Sequence, residues 1–446
     1  MRTPQPPPAF ELDQASIEFL GQHPDFVRQA NHRYFSWDDI RRRAVPGKWS
    51  SHDAWAALET ARRLHARPLP LLDKRGEPFR VVLTDQIHEW VLRAEGLAAD
   101  PLGLIPKAQG DERRHLLASL REEAIHSSLL EGAATTRAAA KAMLREGRAP
   151  RGHGERMIVN NYRTIEMLKD LANQDLTPEL IYEIHRSMTE GTLDDPNDEG
   201  RPQAPGEDRV HVADLDGDVV HVPPSASELP DRVKRLCDFA NATEPFLPPL
   251  VRASLVHFQL AYDHPFVDGN GRTARALFYW QLIRTRHRLA RYLSISRVIF
   301  GSKRRYERAY IHAEQTRDAT YFVQYHVDVY VRAIDELGTY LQRKRDEARR
   351  TERALRSWDA LNHRQKAVLD KALQDPSRSW TGRSHGGEHG VTLPTALSDL
   401  KGLVAAGLFE QRKRGRGFLF VPAERLDDRI RRGPDHDPRQ GSLLEL

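Results

Sequence analysis

Residues 263–275 carry the side chains best suited to catalysis. They read Asp-His-Pro-Phe-Val-Asp-Gly-Asn-Gly-Arg-Thr-Ala-Arg and lie between two apolar helical patterns. Pro265 ends the first of these helices and leaves His264 at its rim. Because the ordinary pKa of histidine is near neutrality, His264 is suited to take a proton from a hydroxyl nucleophile. The segment therefore predicts general-base chemistry.

The second half of this segment is suited to holding an anion. Gly269 and Gly271 flank Asn270 and let the backbone turn, so that successive N–H groups can point at one anion. The next helix begins here, and a helix N-terminus favours negative charge. Arg272 and Arg275 are three residues apart on that helix, so both guanidinium groups can reach the same polyphosphate.

Asp268 adds a hard oxygen ligand of the kind that Mg²⁺ shared with phosphates requires. Taken alone, a histidine at a helix end is usually structural, and a Gly-Asn-Gly segment is usually a turn. The combination of a base, an anion site and a metal ligand is more specific, and it indicates chemistry on a nucleotide.

The segment resembles the signature of the Fic family, His-x-Phe-x-(Asp or Glu)-Gly-Asn-Gly-Arg-x-x-Arg, at every specified position. The matching residues are His264, Phe266, Asp268, Gly269, Asn270, Gly271, Arg272 and Arg275. This resemblance implies transfer of AMP from ATP to a hydroxyl side chain of a target protein, with ATP and Mg²⁺ as cofactors and pyrophosphate as the leaving group.

The resemblance also implies a role for each matching residue. His264 would be the general base, Asp268 the Mg²⁺ ligand and Phe266 a buried anchor. The backbone of residues 269–271 would form the anion hole, Asn270 would contact a phosphate, and the two arginines would bind the outer phosphates.

Residues 293–322 resemble the segment that closes the adenine pocket of Fic proteins. Family members often have paired aromatic residues where this chain has Tyr306 and Glu307, and an asparagine where it has Gln315. The resemblance implies base contacts from Tyr306 and Gln315. Relatives on this scaffold also transfer UMP, phosphocholine or phosphate, and these alternatives stay open. Gly271 disfavours phosphate transfer, because that branch usually has lysine there.

Residues 127–132, Ser-Ser-Leu-Leu-Glu-Gly, resemble the inhibitory motif of Fic proteins, (Ser or Thr)-x-x-x-Glu-(Gly or Asn). By that resemblance Glu131 pairs with Arg275 and takes the place of the ATP γ-phosphate, while Ser127 lies one turn away on the same face. The simpler interpretation is that Glu131 ends a helix ahead of Gly132. Some relatives use this glutamate to remove AMP, so a bifunctional enzyme is a further hypothesis.

Residues 210–222 alternate apolar and polar side chains on both sides of Asp216-Gly217, which predicts a β-hairpin. Fic proteins carry a flap at this point, and the flap edge binds an extended target segment by strand addition. The flap residues would be Val210, His211, Val212, Val220, His221 and Val222. A solvent-facing hairpin without a binding role is the alternative.

The composition fits a soluble globular protein. The 446 residues include 39% hydrophobic and 29% charged residues, and the net charge of +5 is weak evidence of a polyanionic partner. No apolar run is long enough to cross a membrane, and no secretion signal is apparent, so we expect a cytoplasmic protein without a membrane partner. The single cysteine, Cys237, excludes an intrachain disulfide.

The expected fold is mainly α: a Fic-type helical bundle with a small β-hairpin flap, followed by a C-terminal winged helix-turn-helix domain. The predicted regions are a disordered tail (1–9), a mostly helical region of unassigned role (10–110), the Fic core with its inhibitory helix (111–341), a connecting helix (342–358), the winged helix (359–424) and a second disordered tail (425–446).

The region 359–424 resembles a winged helix because a helical pattern from Thr392 is followed by a basic hairpin. Its basic residues between positions 401 and 420 are Lys401, Arg412, Lys413, Arg414 and Arg416. Contact with DNA phosphates and protein docking are equally favoured uses. His385-x-x-Glu388-His389 matches a zinc-protease pattern, but its two glycines predict a loop.

Two functions therefore remain open. The leading one is an adenylyltransferase that is inhibited by Glu131. The other is a DNA-binding transcriptional regulator in which the Fic core only senses nucleotide. Relatives are often dimers, so a homodimer in which one molecule modifies its neighbour is also expected.

Overall fold

The computed structural model describes residues 4–99, 111–213, 217–287, 289–375, 378–414 and 417–433. Two compact units make up this described chain. The first contains residues 4–99 and 116–337, and the second contains residues 111–115 and 338–433.

Residues 4–99 form short helices and a two-stranded antiparallel sheet. In chain order the elements are α1 (Gln14–Gln22), α2 (Pro24–His32), α3 (Trp37–Ile40), α4 (Ser51–His65), β1 (Arg67–Leu72), β2 (Pro78–Val81) and α5 (Asp85–Ala99). Asp13, Ser36 and Ser50 precede α1, α3 and α4, and each side chain accepts a hydrogen bond from the backbone three residues on.

The helices that follow carry the candidate site. They are α6 (Asp111–Leu130), α7 (Arg137–Glu146), α8 (His153–Leu171), α9 (Pro178–Thr189), α10 (Leu229–Asn241), α11 (Pro249–Asp263), α12 (Asn270–Arg284), α13 (Ile295–Phe300), α14 (Lys303–Thr316) and α15 (Thr320–Arg356). Nearly all residues of helices α11 and α12 are buried, so these helices lie inside the first unit on all sides. The turn between them, residues 264–269, is therefore held by the core at both ends.

The predicted hairpin is present as two short antiparallel strands, β3 (Val212–Ala213) and β4 (Val219–His221). Val212 is opposite His221, and Ala213 is opposite Val219. Asp216 of the predicted turn lies outside the described residues. The mainly α fold with a small hairpin is thus confirmed.

In its described residues, the second unit contains four further helices and another hairpin. Its elements are α16 (His363–Gln374), α17 (Gly382–His389), α18 (Leu393–Ala405), β5 (Phe409–Arg414), β6 (Gly417–Pro422) and α19 (Leu426–Arg432). Trp380 and Phe420 exchange two backbone hydrogen bonds of 2.8 Å. This order of elements is the one a winged helix requires, and the winged-helix assignment itself remains a prediction.

The loop predicted over residues 385–389 is wrong, because these residues end α17. The glycines are compatible with this helix because the neighbouring chain approaches it closely. A Cβ at position 386 would lie 3.0 Å from the Val391 carbonyl oxygen, and one at position 382 would lie 2.8 Å from side-chain carbons of Leu393 and Leu397.

Although these residues are helical, their contacts do not support a zinc-protease site. His385 is fully buried and contacts Asp399 at 3.2 Å, while Glu388 forms ion pairs with Lys371 and Arg378. Within the described ranges, no cluster of three or more His, Cys, Asp or Glu side chains could hold a metal.

Both predicted tails need correction. Residues 426–432 form α19, because Leu426 and Ile430 lie one turn apart and pack into the apolar cluster of the second unit. At the other end Pro4 is buried, and its carbonyl oxygen accepts a hydrogen bond of 3.0 Å from Gln315. Residues 1–3 and 434–446 lie outside the described residues.

Cys237 is buried, and burial raises the pKa of its thiol to about 12, which matches a packing role better than a reactive one. In the described part of the chain, no helix is both long enough and apolar enough to span a lipid bilayer.

Candidate active site

The turn between α11 and α12 has left-handed backbone at both ends. His264 has a φ of +48°, and its amide donates to the Leu260 carbonyl oxygen at 2.9 Å. Gly269 has a φ of +81°, and a Cβ there would lie 2.7 Å from the Thr189 methyl carbon. A side chain at 269 is thus excluded by both the backbone and the neighbouring helix. A histidine in the left-handed region is uncommon, and residues with such backbone are frequent in active sites.

His264 has the protonation state that a general base needs. Its Nδ1 lies 3.2 Å from the Ala261 carbonyl oxygen, which can only accept, so Nδ1 carries the proton and Nε2 keeps its lone pair. Burial lowers the pKa of His264 to about 4. The ring is therefore neutral at physiological pH and ready to accept a proton at Nε2.

Arg209 holds the backbone on which His264 sits, and the sequence analysis did not identify it. Its guanidinium donates to the carbonyl oxygens of Asp263 at 2.8 Å, His264 at 3.2 Å and Pro224 at 2.8 Å. One side chain thus joins the end of the flap segment to the base-bearing turn. No local pattern marks this arginine, because its partners are distant backbone atoms.

Phe266 is fully buried, as the resemblance implies, and it stacks on His185 with ring centroids 3.7 Å apart. His185 Nε2 lies 2.8 Å from the Asp268 carbonyl oxygen, and Nδ1 accepts from the Gly200 amide at 3.0 Å. Burial lowers the pKa of His185 to about 4, so this tautomer is neutral. His185 fixes the turn from the side of α9, and the sequence analysis missed it.

Asn270 closes the turn from within. Its Oδ1 accepts from the Phe266 amide at 2.9 Å, and its Nδ2 donates to the Phe266 carbonyl oxygen at 2.7 Å. The side chain is buried, and its geometry gives it a loop-shaping role. The predicted phosphate contact from Asn270 remains a prediction.

Arg272 and Asp268 form an ion pair of 2.8 Å across the start of α12. Arg272 is fully buried and also donates to the Met188 carbonyl oxygen at 3.2 Å, whereas the Asp268 side chain is 53% exposed. The other Asp268 oxygen accepts from the Gly269 amide at 2.6 Å. The carboxylate is therefore fixed in orientation and open on its outer side.

Arg275 is bonded to both polar residues of the inhibitory motif. It donates to Ser127 Oγ at 2.9 Å, to the Ser127 carbonyl oxygen at 3.0 Å and to Glu131 Oε1 at 2.9 Å. Arg275 is buried, whereas the Glu131 side chain is 23% exposed. The predicted pair between Glu131 and Arg275 is thus present in the structure.

The Glu131 carboxylate lies directly over Gly271 at the start of α12, where the sequence predicts an anion site. A Cβ added at Gly271 would overlap Glu131 Oε1. Glu131 follows the end of α6, and Gly132 has a φ of +83°, so the helix-ending interpretation of these residues also holds. The two interpretations are compatible, because ending the helix here directs the carboxylate at the start of α12, and inhibition by Glu131 remains a prediction.

Helix α6 is anchored by a third polar residue on the face that carries Ser127 and Glu131. The buried carboxylate of Glu123 accepts hydrogen bonds from the Ser294 hydroxyl at 3.2 Å, the Ser296 amide at 2.9 Å and the Ser296 hydroxyl at 2.6 Å. Residues 123, 127 and 131 are spaced four apart and share one face of the helix. Glu123 was not identified from the sequence.

Tyr306 and Gln315, the residues implied to contact the base, lie in different surroundings. The Tyr306 hydroxyl is 3.0 Å from His257 Nε2, within a cluster of aromatic rings that includes Tyr310. Gln315 donates to the Pro4 carbonyl oxygen. Glu314, the residue before it, faces the hairpin and contacts His221 at 2.9 Å. Base contacts from Tyr306 and Gln315 remain predictions.

The predicted flap residues divide into two groups. Of the predicted residues, His211 and Val222 are exposed, as is the neighbouring Val219, whereas the His221 side chain is turned inward and is 12% exposed. Val210, His211 and Val222 lie beside the strands and not within them. The flap can thus present an apolar edge while His221 holds it to the body of the protein.

Residues 175–282 match the Fic/DOC family. The matched region includes α9, the hairpin, and the whole turn that bears His264 and Arg275. These residues are therefore similar to the Fic/DOC family, as the signature implies.

Relatives with curated names extend this similarity. The protein adenylyltransferase Fic of Nematostella vectensis is 25% identical over 284 residues, which cover 62% of this chain and 60% of the relative. The protein of the same name from Drosophila melanogaster is 29% identical over 194 residues, which cover 42% of this chain and 37% of the relative. The alignments thus span 60% or less of these two relatives.

A solved structure has a similar fold. Fic-1 from C. elegans superimposes with a TM-score of 0.50 and 18% sequence identity, covering 73% of this chain and 86% of that chain. At this level of identity the likeness concerns the fold, and it agrees with the mainly helical architecture described above.

Proposed function

We propose that this protein transfers AMP from ATP to a hydroxyl side chain of a protein and that Glu131 inhibits the transfer. The observation that carries the proposal is the position of a neutral histidine, His264, at the rim of an anion-binding helix start. This arrangement supports acid–base and phosphate chemistry at one turn. The names of the relatives favour AMP as the transferred group.

In the proposed reaction the acceptor hydroxyl oxygen forms a bond to the α-phosphorus of ATP. The hydroxyl proton passes to His264 Nε2, the bond between the α-phosphorus and its bridging oxygen to the β-phosphate breaks, and pyrophosphate leaves. The N–H groups at the start of α12 and the Arg275 guanidinium stabilise the phosphate charge. Arg209 and His185 keep the turn in position, which is the main requirement of such a transfer.

Asp268 would hold Mg²⁺. Its carboxylate is half exposed, oriented by Arg272 and by the Gly269 amide, and supplies the hard oxygen that Mg²⁺ prefers. Mg²⁺ is usually held by one or two carboxylates together with substrate phosphates, so this single carboxylate fits the ion. When bound, the ion would neutralise phosphate charge.

Inhibition follows from competition between two anions. Glu131 occupies the space above Gly271 and bonds to Arg275, so a phosphate can take the same position only after the carboxylate leaves. The partial exposure of Glu131 gives it room to leave. Removal of AMP, with Glu131 orienting a water molecule, is a second activity that the same position would support.

The test is to incubate the purified chain with α-labelled ATP and Mg²⁺ and to measure label on protein. Glu131→Gly should raise labelling, and Glu131→Gly combined with His264→Ala should abolish it. Glu131→Gln is a matched control that keeps the volume and removes the charge, and it should fall between wild type and Glu131→Gly. Equal labelling of all four proteins would contradict both the base and the inhibitor.

DNA binding by the second unit is a second candidate function. Lys401, Arg412 and Lys413 are exposed on α18 and β5, and Arg416 lies outside the described residues. If these side chains contact phosphates, binding to duplex DNA should weaken with salt, and each removed contact should reduce the salt slope by about one. Binding that survives His264→Ala would favour this function. A homodimer remains part of the proposal, and gel filtration with light scattering would test it.

A further inference from the structure

His221 joins three parts of the first unit through one imidazole ring. It lies on β4, its Nε2 is 2.7 Å from the Tyr262 carbonyl oxygen on α11, and its Nδ1 is 2.9 Å from Glu314 Oε2 on α14. Its ring also packs against Tyr262, with ring centroids 4.8 Å apart. Tyr262 is two residues before His264, so this contact ties the flap to the end of the base-bearing helix.

Both partners of the ring are hydrogen-bond acceptors. The Tyr262 carbonyl oxygen can only accept, and the ionised Glu314 carboxylate can only accept. A neutral imidazole has one N–H group, so it satisfies one partner and turns a lone pair toward the other. The doubly protonated ring satisfies both.

Several other charged or titratable groups surround the His221 ring and its partner Glu314. Lys74 contacts the second Glu314 oxygen at 3.0 Å. Burial alone would raise the pKa of Glu314, but the contacts with His221 and Lys74 hold this pKa below its ordinary value. Asp263 and His264 also interact electrostatically with His221. His221, Tyr262 and Glu314 line a cleft of about 990 Å³. Further charged residues also line this cleft: Asp73, Arg75, Glu77 and Arg317.

In its described residues, the flap has only short strand pairing of its own. Its strands pair at two positions, and the pairing is irregular between them. Isolated two-stranded hairpins are at best marginally stable in water. A side chain that bonds to two other elements is therefore a substantial part of what fixes the flap.

We propose that His221, in its doubly protonated form, latches the flap to α11 and α14 and so positions the flap for the protein acceptor. The role of the latch in catalysis rests on the proposed transferase function. The latch itself can be tested without any transfer reaction. When the ring loses a proton, it turns a lone pair toward one of its two acceptors, that contact becomes repulsive, and the flap opens more often.

The first test is hydrogen exchange of the full chain between about pH 5.5 and about pH 8.5, the range in which histidine changes charge. After correction for intrinsic exchange, protection of residues 217–222 should fall as the pH rises through this range, by up to about tenfold per pH unit. The β5–β6 hairpin provides an internal control. Flap protection that does not change with pH would overturn the proposal.

Glu314→Gln is the matched variant. A glutamine amide can donate to the neutral Nδ1, so the neutral ring then satisfies both partners and flap protection should become nearly independent of pH. His221→Gln cannot bridge both partners and should lower protection at every pH. A Glu314→Gln protein with the same pH dependence as wild type would overturn the proposal.

Nitrogen-15 NMR of the histidine rings measures the protonation of His221 directly in the wild-type chain. Both His221 nitrogens should carry protons in the acidic part of the range, and the resonance is assigned by its loss in His221→Gln. A neutral His221 throughout would overturn the latch. Loss of AMP transfer with an intact latch would instead count against the proposed function alone.

Discussion

The Glu131 carboxylate lies 2.9 Å from the Arg275 guanidinium and directly above Gly271, where α12 begins. A carboxylate thus occupies the place in which the helix start, its dipole and a buried arginine would bind a phosphate. Because Arg275 is buried, its charge must be matched at all times, by Glu131 in this state or by a substrate anion in another. This exchange of partners is the basis of the proposed inhibition.

Ser127→Ala should partly release the inhibition. The Ser127 hydroxyl accepts from Arg275 Nε at 2.9 Å, and a hydrogen bond to a charged group contributes about 1.5–3 kcal/mol. We expect an increase in AMP transfer of about tenfold, smaller than that from Glu131→Gly, measured with α-labelled ATP. Ser128→Ala is the control, because the Ser128 hydroxyl donates to the Ala124 carbonyl oxygen. Equal activation by both variants would argue against a specific role for Ser127.

The pH profile of the Glu131→Gly variant should reflect the neutral state of His264. Burial lowers the pKa of this ring to about 4, and a protonated ring cannot accept the hydroxyl proton. The value of kcat/KM for ATP should therefore be level from neutral pH down to about pH 5 and fall below about pH 4. A fall centred near the ordinary histidine pKa would contradict this assignment.

Arg209→Lys should reduce transfer without unfolding the protein. A lysine keeps the charge but cannot bond at once to the carbonyl oxygens of Asp263, His264 and Pro224. Small displacements of a catalytic group lower rates strongly, so we expect a loss in kcat of about 10- to 100-fold with little change in ATP affinity. Arg201→Lys, at an arginine in the preceding loop, should leave both unchanged. Loss of ATP binding together with kcat would indicate general disruption.

Gly269→Ala should destabilise the fold by more than a simple backbone penalty. The alanine would need a left-handed backbone and would also lie 2.7 Å from the Thr189 methyl carbon, so we expect about 2–4 kcal/mol of lost stability. Gly147→Ala is the control, because Gly147 has a φ of +66° and no atom within 4 Å of its added Cβ. Chemical denaturation of both variants gives the difference. Equal losses would show that the contact with Thr189 has no effect.

The sequence predicted the site best where the residues suited to catalysis lie together in one turn of the chain. The chemically important residues of the turn all lie within positions 264–275. Their types and spacing therefore predicted the turn, the helix start and the pair of arginines. Glu131 was identifiable because its motif is local, although its partner Arg275 is 144 positions away. The mainly helical fold followed from amphipathic patterns for the same local reason.

The remaining parts of the site depend on tertiary contacts. Arg209, His185 and Glu123 bond to atoms far along the chain, and nothing in their neighbouring residues indicates those partners. The helix over residues 382–389 was missed because glycines oppose helices locally, whereas here they let α18 approach closely. Glu314 contacts the flap and Gln315 bonds to Pro4, and no local pattern indicates either contact.

The most direct test of the central claim compares α-labelled and γ-labelled ATP with the Glu131→Gly variant. AMP transfer leaves the α-phosphorus on protein and releases the γ-phosphorus in pyrophosphate. The account predicts protein label from α-labelled ATP alone, and its loss when His264→Ala is added. Label from γ-labelled ATP, or α-label that persists without His264, would contradict it.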